Sequence, residues 1–204
     1  MAFYRDHIFP FLVDLAMRNQ YLRPYRERVA GAAEGRVLDL GIGSGLNLPF
    51  YSPRAGEILG LDPSPPLLAR ARDKARGAQA PIRLLSGSAE QIPLHDRSVD
   101  TIVMTWTGCS IPGIAAALGE MRRVLRPGGR LLFVEHGRAP EPNVARWQDR
   151  VTPLWRCVSG GCHLNRKIDD LLAQNGFRID RLDTGHIPGP RIMTFFYEGA
   201  ATPR

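Results

Sequence analysis

The stretch Val37 to Gly45, VLDLGIGSG, limits the folds open to this chain more than any other segment. A short apolar run ends in three alternate glycines, Gly41, Gly43 and Gly45. Such a run reads as a buried strand that delivers the chain into a tight loop. Glycine is needed there because the backbone must turn sharply and approach a ligand closely. The dinucleotide fingerprint has the form Gly-x-Gly-x-x-Gly. In this chain the third glycine comes one residue early, and Asp39 stands two residues before the loop. Taken alone, the glycines suit any nucleotide-type ligand or a plain turn.

The rest of the sequence places that loop in a repeating rhythm. Residues 3 to 29 read as an amphipathic helical segment, with Phe3, Ile8, Phe11, Leu12 and Leu15 near helical spacing. After the first strand, a short helix is expected over Leu46–Tyr51 with Asn47 as its cap. GEILGLDPS reads as a second strand, and PPLLARARDKARG as a helix opened by prolines and closed by glycine. IRLLSGSAEQIPL, SVDTIVMTWT and RLLFVEHG supply three more strands, the last preceded by the helix GIAAALGEMRRVLRPGG. RKIDDLLAQNGF is a further helix, and FRIDRLDTG and IMTFFYEGA close the chain as two strands joined by a loop. Alternating strands and helices imply a mostly parallel sheet with helices on both faces. The closing pair suits an antiparallel hairpin. One stretch breaks the rhythm: residues 138–165 interrupt the step from the fifth strand to the last helix. A long excursion at a sheet's carboxyl edge is usually functional.

Composition narrows the setting. The 204 residues carry 27 Lys and Arg against 20 Asp and Glu, a formal charge of +7. That excess favours anionic partners, but no block of like charge marks a nucleic-acid tail. Three cysteines, Cys109, Cys157 and Cys162, make no disulfide framework, so a cytoplasmic setting is expected. HIFPFLVDLAM is apolar but short and interrupted by Pro10 and Asp14, so no membrane span is expected.

The glycine loop with Asp39 resembles motif I of the class I methyltransferases that use S-adenosylmethionine (SAM). Three further features extend the likeness. Asp62 ends the second strand, 17 residues beyond Gly45. GSAEQIPL resembles the family's adenine loop, with Ser88 where many members carry Asp. EMRRVLRPGGRLLFVEHG resembles its usual helix, Pro-Gly-Gly turn and fifth strand. The resemblance implies a Rossmann-like α/β fold with a seven-stranded sheet. It implies SAM as cofactor, held by Asp39, Gly41, Gly43, Gly45, Asn47, Asp62, Pro63, Ser64, Ser88, Ala89, Glu90 and Thr105. The expected organisation is a single methyltransferase domain over 1–204: a helical lid at 1–30, a SAM-binding core at 35–137, a substrate-cap insertion at 138–165, and the last helix and hairpin at 166–204.

A narrower resemblance joins TWTGCSIP, VEHGRAP, RWQDRVTPLWR and GGCHLNR. These segments look like the methyltransferase-like proteins grouped with the alkyl-thiol S-methyltransferases. Membrane-bound members begin with a hydrophobic anchor that is not seen here, and Trp106 and Gly108 depart from their more aliphatic residues. The resemblance implies a small, apolar methyl acceptor, with a thiol as first choice. Quinone, lipid or other C-, N- or O-acceptors remain alternatives, as do a nucleic-acid methyltransferase and an inactive SAM-binding protein. A nicotinamide-dependent oxidoreductase is disfavoured by the early third glycine.

GGCHLNR itself admits three readings. As a metal site, Cys157, Cys162 and His163, with His136, supply ligand types, but neighbouring Cys162 and His163 point opposite ways in extended chain, and no metal is expected. As a nucleophile, Cys162 is not needed, because SAM is itself the electrophile. As a wall of the acceptor site, the segment brings Asn165 and Arg166 to the sheet's carboxyl edge, where open α/β sheets bind ligands. On that reading Trp106, Cys109, Trp147 and Asn165 line the acceptor site. His136 is the candidate general base, and Arg138 or Arg166 is the cation that favours a thiolate. Tyr21 or Tyr25 is expected near the pocket, under a lid formed by the N-terminal segment, with membrane-surface contact as the alternative role for that segment.

Overall fold

In the computed structural model, residues 9–204 are described. The helical segment expected over 3–29 is seen from Phe9 onward as two helices separated by a 3₁₀ turn at Gln20–Leu22, and its Phe3 and Ile8 lie outside the described residues. Two short helices, α1 (Phe9–Met17) and α2 (Arg23–Gly31), precede the first strand, β1 (Gly35–Leu40). Then follow β2 (Ala55–Asp62), α3 (Pro65–Ala75), β3 (Ile82–Ser86), β4 (Val99–Thr105), α4 (Ile114–Val124) and β5 (Leu125–His136). The chain ends with α5 (Pro142–Val158), α6 (Ile168–Gln174), β6 (Phe177–His186) and β7 (Phe195–Pro203).

The seven strands form one sheet in the order β3-β2-β1-β4-β5-β7-β6. The first five are parallel, and β7 runs antiparallel to both β5 and β6. This is the Rossmann-like architecture expected from the sequence. The central strands are apolar on both faces because helices cover both. Thus Val37, Leu38, Leu40, Ile102 and Val103 are all fully buried. The edge strand β6 is largely exposed and carries Arg178, Asp180, Arg181 and Asp183, charges that discourage further strand pairing. Helix α4 buries Ala117, Leu118, Met121 and Val124, the single stripe of an amphipathic helix.

Two elements differ from expectation. The segment Leu46–Tyr51 makes only a 3₁₀ turn over Leu48–Phe50, and the Asn47 side chain does not cap it. That side chain is engaged elsewhere, as described below. The 138–165 excursion is not irregular chain: α5 occupies 17 of its residues. Ala145, Gln148 and Thr152 form its buried stripe. The Gln148 side chain is fully buried and staples three segments. Its Oε1 accepts from Ala139 N–H at 2.9 Å, and its Nε2 donates to Gly137 O at 3.0 Å and to Ile192 O at 3.1 Å. In this way α5 is fixed to the end of β5 and to the β6–β7 connection.

No helix among the described residues is long and apolar enough to cross a membrane.

Candidate active site

A cavity of about 930 Å³ opens at the carboxyl ends of β1, β2, β4 and β5. It falls where strand order reverses between β1 and β4, the place where open α/β sheets bind ligands.

The glycine loop forms one end. Gly41, Gly43 and Gly45 have φ of +70°, +56° and +78°, values that favour glycine. At Gly43 an added Cβ would meet no protein atom closer than 3.9 Å, so the loop leaves open space in front of it. The Asp62 carboxylate fixes this loop: Gly43 N–H donates to one oxygen at 2.9 Å, and Ser64 N–H donates to the other at 2.8 Å. Each oxygen keeps a further lone pair for a ligand hydroxyl. Burial pushes the Asp62 carboxyl above its usual value, which the two N–H donors oppose.

Behind the loop lies a buried polar network. Asn47 Nδ2 donates to both Asp39 oxygens at 3.2 Å and to Thr105 Oγ1 at 3.0 Å. Arg26 Nη1 donates to Asn47 Oδ1 at 2.8 Å, and its Nη2 donates to Met17 O at 3.0 Å. Asp39 is completely buried, and burial lifts its carboxyl to about 6. Burial likewise lowers Arg26 to about 10, and the nearby Asp39 opposes that shift. The guanidinium also lies 4.6 Å from the Trp106 ring, a desolvated cation–π contact. Trp106 itself has φ +51°, a costly conformation for a bulky residue. Its ring is held edge-on between Tyr25 and Phe196.

At the other end, the β4–α4 loop is clamped by two charged side chains. Glu135 accepts from Thr107 N–H and Gly108 N–H, both at 2.8 Å, and from Cys109 N–H at 3.2 Å. Burial lifts Glu135 to about 7, and these donors oppose it. Arg166 donates to Gly108 O and, at 2.8 Å, to Ile111 O. The loop thereby carries Cys109 to the cavity wall, next to His136 and Cys162. Cys162 Sγ lies 3.3 Å from His136 Nε2 and accepts from Trp155 Nε1–H at 3.4 Å. Hydrogen bonding with Cys109 and the neighbouring imidazole hold the Cys162 thiol below its ordinary range against burial. His136 sits above its ordinary value: burial lowers it, but the Cys162 contact prevails.

The sequence-expected residues separate into two groups. Gly41, Gly43, Asn47, Asp62, Pro63, Ser64, Ser88, Ala89, Thr105, Trp106, Cys109 and His136 all line the cavity. Asp39, Gly45 and Glu90 do not: Asp39 acts through Asn47, Gly45 packs on Ala71, and Glu90 ties Ser88 to Gly113 N–H. The expected acceptor set needs correction at four positions. Arg138 makes a two-point ion pair with Asp149 at 2.6 and 3.0 Å, and Asn165 donates to the same carboxylate at 2.9 Å, all outside the cavity. Trp147 is 56% exposed, with Arg150 over its ring. Arg166 spends its donors on loop carbonyls. Tyr21 is exposed, and Tyr25 supports Trp106 from behind. His163 turns away from Cys162, with both its backbone N–H and its Nδ1 on Cys109 O.

Sequence reasoning gave no site role to Arg26 or Asp14, and it set Cys162 aside, although Cys162 lines the cavity. Helix α1 lines the cavity with Leu12, Asp14 and Met17, and the β6–β7 connection adds Ile187 and Met193. Asp14 docks α1 on the glycine loop by accepting from Ser44 Oγ–H, with Arg18 at 2.7 Å and Arg70 at 3.4 Å. An acid inside an otherwise apolar helix was the one local signal for that contact.

Fold and site together resemble one class. Residues 38–133 match the family model described as a methyltransferase domain, and solved structures of SAM-dependent methyltransferases share the fold. One of these, a SAM-dependent methyltransferase from Thermotoga maritima, superposes with a TM-score of 0.68 over 97% of this chain and 99% of that one, at 24% identity. Among curated proteins, this chain is 36% identical to thiol S-methyltransferase TMT1B of Homo sapiens over 141 residues, covering 66% of this chain and 57% of the relative. It is 37% identical to phosphatidylethanolamine N-methyltransferase of Cereibacter sphaeroides over 107 residues, covering 52% of each. The chain thus spans little more than half the length of the curated relatives it matches.

Proposed function

We propose that this protein transfers the methyl group of SAM to the thiol of a small, apolar acceptor. The observation that carries this reading is the continuity of one cavity. It runs from the glycine loop and Asp62 to the Cys109–His136–Cys162 wall, with apolar sides from α1, α5 and the β6–β7 connection. Bound SAM supplies a sulfonium methyl, an electrophile that needs no enzyme-bound intermediate. The residues present suit it: open glycine backbone, a buried carboxylate with free lone pairs for ribose hydroxyls, and Ser88 for the adenine edge. On the protein's side, Asp62 and the loop orient the donor. Asn47, held by Arg26 and Asp39, fixes the polar wall between donor and acceptor. The apolar sides exclude water, so the thiolate reacts without a full hydration shell. Thiolate formation is assigned to the wall that Cys109, His136 and Cys162 make at that end. The likeness to a thiol S-methyltransferase supports the choice of acceptor. The test is turnover of SAM with small alkyl thiols by wild type and His136→Ala. A loss in kcat of at least about 100-fold is expected for the variant, and a loss under about threefold would remove His136 from the chemistry.

A lipid amine is the second reading. It is favoured by exposed apolar side chains on two helices that line the cavity: Leu12 of α1 and Val158 of α5 line it, and Phe11, Leu15 and Leu154 are exposed on the same helices. Retention of full turnover with dispersed phospholipid amines, and none with thiols, would select it.

A further inference from the structure

Cys109, His136 and Cys162 come from three separate segments: the loop after β4, the end of β5 and the chain after α5. Cys109 and Cys162 are the two buried cysteines of the chain's three; the third, Cys157, is exposed. Among the described residues, these three form the group of His, Cys, Asp or Glu side chains close enough to hold one metal ion, with ligand atoms all within 4.8 Å of one another and all three residues buried.

We infer that Cys109, His136 and Cys162 form a binding site for a thiophilic divalent cation, zinc by preference, whose fourth position opens into the acceptor end of the cavity. The donor set suits such an ion: two sulfurs and an imidazole select borderline-soft metals over magnesium or calcium. The dimensions suit it as well. With bonds of about 2.1 Å to nitrogen and 2.3 Å to sulfur, tetrahedral ligands lie roughly 3.5 Å apart for N and S, close to the 3.3 Å between His136 Nε2 and Cys162 Sγ. The corresponding sulfur–sulfur edge is roughly 3.8 Å, so a spread of at most 4.8 Å closes with a shift of about 1 Å.

The surroundings resemble those of a held ligand set. Trp155 Nε1–H meets Cys162 Sγ, and Ser110 Oγ lies 3.5 Å from Cys109 Sγ, so each sulfur has an outer polar neighbour. Glu135 and Arg166 clamp the Cys109 loop from its N–H and C=O sides, which fixes one ligand relative to the other two. Two thiolates neutralise the dication. Three protein ligands with one place left open is the arrangement of catalytic rather than structural zinc sites, and all three ligands line the cavity.

This inference deepens the proposed reading and rests on it for the identity of the fourth ligand. The acceptor R–SH binds the metal as a thiolate, releasing its proton to water, because a coordinated thiol is deprotonated. Its sulfur then forms the S–CH₃ bond while the donor's sulfonium–CH₃ bond breaks. The products are R–S–CH₃ and S-adenosylhomocysteine, with no change in the metal's charge.

The experiment is a titration of the purified, reduced full chain with Co²⁺ as spectroscopic probe, repeated for Cys162→Ser, Cys109→Ser and Cys157→Ser. S-adenosylhomocysteine affinity serves as a check that each variant is folded. A thiolate-to-cobalt charge-transfer band with visible tetrahedral bands, saturating at one ion per chain and displaced by Zn²⁺, is expected for wild type and Cys157→Ser. Both should be lost in folded Cys162→Ser and Cys109→Ser. No charge-transfer band in wild type, or an undiminished one in Cys162→Ser, overturns the site. An added alkyl thiol should shift the band. A cobalt spectrum insensitive to thiols, with no thiol turnover, overturns the acceptor reading and leaves the metal site standing. Thiol turnover without any cobalt spectrum does the reverse.

Discussion

Asp62 and Arg166 show how one kind of interaction serves two ends. Each is a buried or half-buried charge bonded to backbone, and each sets the shape of a loop. Asp62 organises the glycine loop and, on our proposal, still faces the donor. Its replacement in Asp62→Ala removes the acceptor of two N–H groups along with the ribose contact. Charge-assisted hydrogen bonds contribute about 1.5–3 kcal/mol each, so the dissociation constant of S-adenosylhomocysteine should rise by roughly 100-fold or more in a calorimetric titration. A change under about threefold would remove Asp62 from cofactor binding. Arg166 has the opposite signature. It holds Gly108 O and Ile111 O, so Arg166→Ala should cost about 2–3 kcal/mol in urea unfolding. Its affinity for S-adenosylhomocysteine should stay within about threefold of wild type, since the Arg166 side chain bonds to Gly108 O and Ile111 O and not to the glycine loop itself. Unchanged stability would show that the clamp contributes nothing. The sequence placed Arg166 beside a reactive motif, and nothing local distinguishes an arginine that faces a substrate from one that holds carbonyls. The same holds for Arg138 and Asn165, whose shared partner Asp149 lies a helix away in the chain.

Helix α1 is the element whose role depends most on a single residue. Burial raises the Asp14 carboxyl, but the Ser44 hydroxyl, Arg18 and Lys74 together hold it below its ordinary 3.8. A carboxyl lowered in the folded state contributes stability that is full above the unfolded value and is lost as pH falls through the folded one. The docking of α1 should therefore be constant between about pH 5 and 8 and loosen only below about pH 4. Amide hydrogen exchange of Phe11–Met17 measures this directly. Asp14→Asn should show at neutral pH the reduced protection that wild type shows only in acid; equal protection in both would contradict the docking role. The helix was legible as an apolar repeat, but its partner was not, because Ser44 and Lys74 reach it only through the fold. Helix α5 shows the same limit from the other side. Its buried stripe is narrow, Pro153 lies within the helix, and Gln148 is buried through partners at the end of β5 and on the β6–β7 connection.

At the scale of the whole molecule, the strand–helix rhythm and the glycine loop were sufficient for the seven-stranded sheet, its antiparallel end and the glycine-loop end of the cavity. Their signals are local patterns in the sequence, although the pairings they lead to, such as Val37 with Thr101, are long-range. The acceptor half joins residues 109, 136 and 162, which share no spacing rule, so the convergence of two thiols and an imidazole emerges only in three dimensions. Charge is likewise a whole-molecule property. The chain carries a net +7, but many of its arginines are matched: Arg28 with Glu198, Arg36 with Glu57, Arg123 with Glu120 and Asp96, Arg126 with Asp100. Nucleic-acid affinity depends on unmatched cations that displace counterions. The full chain should therefore not retard RNA or duplex DNA at physiological salt; a salt-dependent shift there would contradict this.

The central claim is methyl transfer to a thiol. Its most direct measurement follows S-adenosylhomocysteine and thioether together while the purified chain is given SAM and a panel of small alkyl thiols, phenols, quinones and amines. Saturable, stoichiometric formation of both products with apolar thiols is the expected result. Turnover confined to amines, phenols or quinones, with none on any thiol, would contradict it.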